Sequence, residues 1–197
     1  MGRRKTYDRE AIAARAMRLF WERGYHATST RDLTTAMGVN PYSLYAEFGS
    51  KEGLYAAAIA HYEATVVERH FGSLDADGAS LPEVRQVLVF FGDNGTRPHS
   101  ELGCLVCNAG AELAPSPEQS EASTARFVDR LTRGFAHALG NAEAAGLLVD
   151  GAPVSALARF FPTVLMGIFL QSRARVHADV IRAAADQALP RLDTVTR

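Results

Sequence analysis

Three helix starts crowd into the 22 residues from Ser29 to Ser50. Ser29-Thr30-Arg31-Asp32 reads as a capping box with Asp where Glu is usual. Asn40-Pro41 joins an N-cap residue to a proline at the first helical position, where its missing N–H costs nothing. Ser50 caps again directly after Gly49, and Gly38 stops the first of the three helices. Punctuation this dense excludes a strand. Helices of about two turns are marginal alone, so these short helices need tertiary contacts to exist.

Helical spacing of apolar residues extends over almost the whole chain, and no convincing alternating run appears. Asp8 is placed to cap a first helix with Ile12, Ala16, Leu19 and Phe20 on its inner stripe. Gly24 ends it, and Tyr25 supplies a C-terminal hydrophobic contact. Leu33, Ala36 and Met37 give the next helix one apolar face, and Leu44 and Phe48 serve the helix that begins at Pro41. Leu54, Ile59 and Val66 mark a longer helix after Ser50. Ser29 to Phe48 is thus helix, turn at Gly38-Val39, helix, with the first helix stacked on it. About 50 residues is marginal for independent stability, so the long helix should dock this unit on the rest. A loop signal at 72–78 precedes a helix opened by Ser80 and Pro82 through Val87, Phe90 and Phe91, broken by Asp93-Asn94-Gly95. Further helices are predicted at 103–114, 117–139, 154–174, kinked or restarted by Pro162, and 178–189. The reading is all-α: a three-helix helix-turn-helix domain over 1–55 and a second helical domain over 56–197.

Net charge is −1, but its distribution is uneven. Residues 1–51 carry nine Lys/Arg against five acids, a balance of +4, which leaves −5 on the remainder. A basic front on an acidic body suits a chain whose one end meets a polyanion. No apolar run approaches the ~18 residues of a membrane span. Two cysteines cannot build a disulfide framework, and no apolar leader follows Met1-Gly2-Arg3-Arg4-Lys5, so a reducing cytoplasm is expected.

Tyr42 precedes Leu44 by two residues, about 200° round the helix, and so belongs to the outer side with Ser43 and Ala46. An outward helix of this kind can enter a major groove, with base edges and phosphates in reach of its N-terminal residues. Tyr45 admits two readings, contact with DNA or packing on Phe20 or Leu54. The segment TSTRDLTTAMGVNPYSLYAEFGSKEGLYAAAI resembles the DNA-binding segment of TetR-family transcriptional regulators, and the likeness spans Ile12 to Ile59. It implies a homodimer that binds a palindromic double-stranded operator. It also implies a variable C-terminal domain that holds a small-molecule effector and dimerises through its last two helices. By position it assigns Thr28, Arg31, Tyr42, Ser43, Tyr45 and Lys51 to DNA. Arg3, Arg4 and Lys5 would form a basic arm or a solvated tail. Glu47 stands where the family often has His, and either reads a cytosine amine or points away.

In the C-terminal part, SALARFFPTVLMGIFLQSRA and HADVIRAAADQAL supply the two helices that the resemblance pairs across a dimer. Phe90, Phe91, Cys104, Cys107, Phe127, Phe161 and Met166 are candidates for an effector pocket, though an aromatic helical core looks the same. Cys104 and Cys107 lie at i, i+3. Simple packing, an oxidant- or electrophile-responsive thiol at Cys104, and a zinc site with His99 remain open. There is no phosphate-binding Gly-rich loop, no HExxH, no nucleophile elbow, and the six histidines are scattered. No catalytic residue, metal or cofactor is therefore expected. The rival to a DNA-binding regulator is a helical adaptor whose front motif binds protein.

Overall fold

The structure, a computed structural model, describes residues 8–93, 97 and 99–197. The proposed basic arm of Arg3, Arg4 and Lys5, and the loop residues Asn94 and Gly95, lie outside the described residues. Helix α1 (Arg9–Arg23) is capped by Asp8, whose carboxylate accepts from the Glu10 and Ala11 N–H groups. Helix α2 (Thr30–Met37) has a complete capping box. Ser29 Oγ accepts from Asp32 N–H at 3.1 Å, and Asp32 Oδ2 accepts from Ser29 N–H at 2.9 Å. Helix α3 (Pro41–Phe48) is capped by Asn40 Oδ1, 2.8 Å from Ser43 N. Ser50 caps α4 (Lys51–Tyr62) through Gly53 N–H. Gly38 takes φ +65°, so the turn between α2 and α3 requires a residue tolerant of the left-handed region.

Ile12, Ala16, Leu19, Phe20, Leu33, Met37, Leu44 and Phe48 are all buried, as their periodicity predicts. Ala36 is exposed, and Val39 takes the inward place instead. Two turns of helix present only a narrow inner face, and Leu33 and Met37, four apart, already fill it. Leu44 is fully buried; truncation to Ala at such a site costs ~2–5 kcal/mol.

Helix α4 packs chiefly on α1. It runs through a π-helical stretch (Glu63–Val67) into α5 (Glu68–Phe71), so the head passes into the body through one continuous helical rod. After a 3₁₀ turn (Gly72–Asp75) come α6 (Leu81–Gly92), a second 3₁₀ turn (Ser100–Leu102), α7 (Leu105–Glu112), α8 (Pro117–Ala144), α9 (Val154–Arg173) and α10 (Ala178–Val195). Among the described residues there is no strand, only an isolated bridge between Leu148 and Thr196. One hydrophobic core runs from Ile12 to Val195.

Three helices differ from the sequence reading. Helix α8 extends to Ala144 and α10 continues past Pro190 to Val195, while Pro162 sits buried inside an unbroken α9. Tertiary packing overrides the local penalty of proline. Helix α9, 20 residues with a mean hydropathy of 1.5, also meets the length and composition of a membrane span, contrary to expectation. Leu157, Phe161, Leu165 and Ile168 face the core, but Ala156, Phe160, Thr163 and Leu170 are exposed on the opposite side. That second stripe accounts for the excess apolarity.

Candidate functional site

The front of the molecule presents α3. Leu44 and Phe48 anchor it, which turns Tyr42 outward to 84% exposure. Ser43 is half-buried, and Arg31, near the start of α2, is exposed on the same small unit. Tyr45 is half-buried, and its hydroxyl lies 2.6 Å from Thr30 Oγ1, which ties α3 to α2. Lys51 is also partly engaged: Nζ lies 4.2 Å from the centroid of the Tyr25 ring. Desolvation lowers the Lys51 ammonium pKa, against the pull of Glu52 and Glu112. Tyr25 in turn donates its hydroxyl to Glu52 Oε1 at 2.9 Å. Burial first, then this carboxylate, pushes the Tyr25 phenol up to about 12.

Thr28 departs from the expected role. It is 0% exposed, and its hydroxyl donates to the Gly24 carbonyl at 2.6 Å. The end of α1 leaves that carbonyl without a helical partner, and Thr28 satisfies it. Glu47 is held by Arg9, whose Nη1 lies 2.9 Å from Glu47 Oε1 and whose guanidinium covers the Phe48 ring at 4.8 Å. The acid thus leans toward the start of α1, with its charge masked.

Behind the head lies a partly open cavity of about 150 Å³. Phe90, Phe91, Cys104 and Phe127, four of the seven pocket candidates, line it. The other three do not. Phe161 is fully buried against Phe135, with ring centroids 5.5 Å apart. Cys107 and Met166 line a separate, open groove between α7 and α9. Residues on one helix diverge by 100° per position, so the candidates could not all converge. The sequence reading missed Trp21, Tyr62, His70, Arg97, His99 and Phe169 in the same wall. Val66 and Val67, in the π-helical stretch, also belong to it, consistent with such turns at functional positions.

Cys104 is 2% exposed at the N-terminus of α7. Burial pushes its thiol up. Hydrogen bonds from the Cys107 thiol and backbone and from the Tyr62 hydroxyl outweigh this, and the net direction is down. The Cys107 thiol, which donates to Cys104, goes up, first through that hydrogen bond and then through burial. Among the described residues no three His, Cys, Asp or Glu side chains gather as a metal site, so Cys104, Cys107 and His99 do not form one.

Head and cavity meet at the end of α1. Trp21 lines the cavity and donates its indole N–H to the Leu102 and Gly103 carbonyls at 3.1 and 3.2 Å, immediately before Cys104. Arg173 of α9 donates to the Trp21 carbonyl at 3.3 Å. Glu112 of α7 accepts from Tyr25 N–H at 2.9 Å. These bonds span 81 to 152 residues, beyond any local signal. Only the rarity of tryptophan could have flagged Trp21.

Comparison with known proteins agrees with this architecture. Residues 12–58 match the model for bacterial regulatory proteins of the tetR family, and residues 80–188 match the tetracyclin repressor-like C-terminal domain. ComR, an HTH-type transcriptional repressor of Escherichia coli (strain K12), is 29% identical over 87% of this chain and 82% of its own length. YezE, a transcriptional regulator of Bacillus subtilis (strain 168), is 29% identical over 98% of this chain and 100% of its own. A cysteine mutant of the TetR family regulator CifR, solved with 26-base-pair double-strand operator DNA, superposes with a TM-score of 0.82. It is 33% identical and covers 95% of this chain and 98% of that one. A head built as a helix-turn-helix, a helical body behind it and matches to both domain models lead to one conclusion: the chain belongs to the TetR family of transcriptional regulators.

Proposed function

We propose that this regulator is a repressor that binds a palindromic operator as a homodimer and releases it when a small molecule enters the cavity. The observation that carries the reading is Tyr42, bared on a helix whose other side is fully committed to the core. A helix of two turns with such an aromatic has a use if it enters a major groove. Tyr42, Ser43 and Arg31 are the contacts to bases and phosphates, with Lys51 at a phosphate. Tyr45 positions α3 through Thr30, and Thr28 drops out of the contact set. The DNA-binding domain is taken as 1–55 and the effector-binding and dimerisation domain as 56–197, the boundary falling inside α4.

The apolar outer stripe of α9, with Phe160 and Leu170, and Val180 on α10 support a second copy against these two helices. Two heads one helical turn apart, ~34–36 Å, match two half-sites. An effector beside Trp21 acts on the rear of the head, and by favouring one head spacing shifts the population away from the DNA-competent state. A regulator of this kind works in the cytoplasm, on chromosomal DNA.

The test is selection of duplexes from a random pool, followed by anisotropy across a salt series and sedimentation of the free protein. Binding that weakens steeply with salt and a dimer in solution are expected. A monomer, or retention indifferent to salt, refutes the reading and favours the protein-binding adaptor. The position of Cys104 in the cavity wall favours a second reading, in which an electrophile or oxidant acts on this thiol. Release that survives Cys104→Ser rejects it.

A further inference from the structure

The cavity has a chemical character that its shape and lining define. Its volume of about 150 Å³ is the size that holds a single benzene ring in an apolar protein interior. Phe, Tyr and Trp rings make about half of the wall, and they already meet one another both edge to face and stacked. Phe91 lies 5.0 Å from Phe169 at 83° and is stacked on Phe71 at 5.2 Å. Such walls offer both faces and edges to a further ring.

The polar groups are one-sided. His70, Arg97 and His99 line the cavity, and among the described residues no Asp or Glu does. The Arg97 guanidinium sits 4.0 Å over the Phe90 ring, whose surroundings also hold His70 at 4.6 Å. Among the described residues no carboxylate pairs with Arg97. Burial, then the charges of Arg69 and Arg97, depress the His70 pKa, so His70 stays neutral. A planar guanidinium held on an aromatic face, with its fork unfilled, matches a carboxylate in bidentate fashion.

We propose that the cavity takes a single-ring aromatic carboxylate, its ring among Phe71, Phe91, Phe127 and Phe169 and its carboxylate at Arg97. The volume suits one ring within the wall, and the guanidinium charge of Arg97 disfavours cations. The consequence for DNA rests on the effector reading above; the binding itself does not.

Trp21 is the only tryptophan in the chain and lies in the cavity wall, so its emission reports occupancy in the full-length protein. Benzoate and its neutral isostere benzamide are the probes. Benzoate is expected to change Trp21 emission saturably, with benzamide at least about tenfold weaker, because a charge-assisted bond is lost. Arg97→Gln should abolish the preference while lowering the thermal midpoint of the free protein by no more than about 4 °C, the loss of its contact with the Phe90 ring. The proposal is overturned if neither probe alters emission, if benzamide binds as tightly as benzoate, or if Arg97→Gln keeps the preference. DNA release, followed in parallel by anisotropy, separates the two claims: benzoate that binds as described without releasing DNA supports the site chemistry and refutes the effector reading.

Discussion

Glu47 places a negative charge on the helix proposed to meet phosphates, and Arg9 masks it through a contact of 2.9 Å. Both side chains are substantially exposed, 61% and 46%, so the pair itself adds at most ~1 kcal/mol to stability. Its weight falls on DNA binding. Arg9→Ala uncovers one unit of negative charge. At ~7 Å from a phosphate this repulsion is about 0.6 kcal/mol in bulk water and about 2.4 kcal/mol at an effective dielectric of ~20. Affinity should therefore fall between about threefold and about fiftyfold, with the loss greatest at low salt, where the Debye length exceeds that separation. Glu47→Gln should tighten binding by a comparable factor, and the double variant should return to within about twofold of the parent. Anisotropy of a labelled duplex across a salt series, with thermal melts to exclude unfolding, measures all four proteins. A double variant as weak as Arg9→Ala alone refutes the masking: Arg9 would then act only through its own phosphate contact.

Thr28→Val should cost ~1–3 kcal/mol of stability in denaturant titration, because it strands the Gly24 carbonyl in a dry setting; loss of DNA affinity without loss of stability contradicts that role. Tyr42→Ala should do the reverse, changing stability by less than ~0.5 kcal/mol and costing ~1–3 kcal/mol of DNA affinity. Tyr45→Phe should remove ~0.5–1.5 kcal/mol of stability by deleting the bond to Thr30. An unchanged melt alongside weakened DNA binding would return its hydroxyl to the contact set. Asp32 is held below its ordinary value of 3.8, first by the Ser29 side chain and then by the Ser29 backbone N–H. A depressed folded-state pKa gives stability that is present above 3.8 and lost as pH falls through the lower value. The stability gap between the parent and Asp32→Asn should accordingly be widest near neutrality and close in acid; a gap that widens in acid contradicts this.

Local chemistry determined the front of this protein. Asp8, Ser29, Asn40 and Ser50 each satisfy orphan N–H groups within three residues of themselves, so a pattern of caps, glycines and apolar pairs specifies α1 to α4 without the rest of the chain. The same locality makes the bared face of α3 readable, because Leu44 and Phe48 dictate which way Tyr42 turns. Tertiary structure decided the rest. Thr28 belongs to the fold because the Gly24 carbonyl comes within reach. Glu47 is masked because α1 begins beside the end of α3, 38 residues away. Of the aromatics in the C-terminal part, those facing the cavity and those facing the core share one composition and one period. Trp21 joins the cavity only where a turn some 80 residues later meets it. Hydrogen bonds that close over a few residues are written in the order of the side chains, whereas a cavity is the gap left when whole helices pack, and its lining depends on every crossing angle at once.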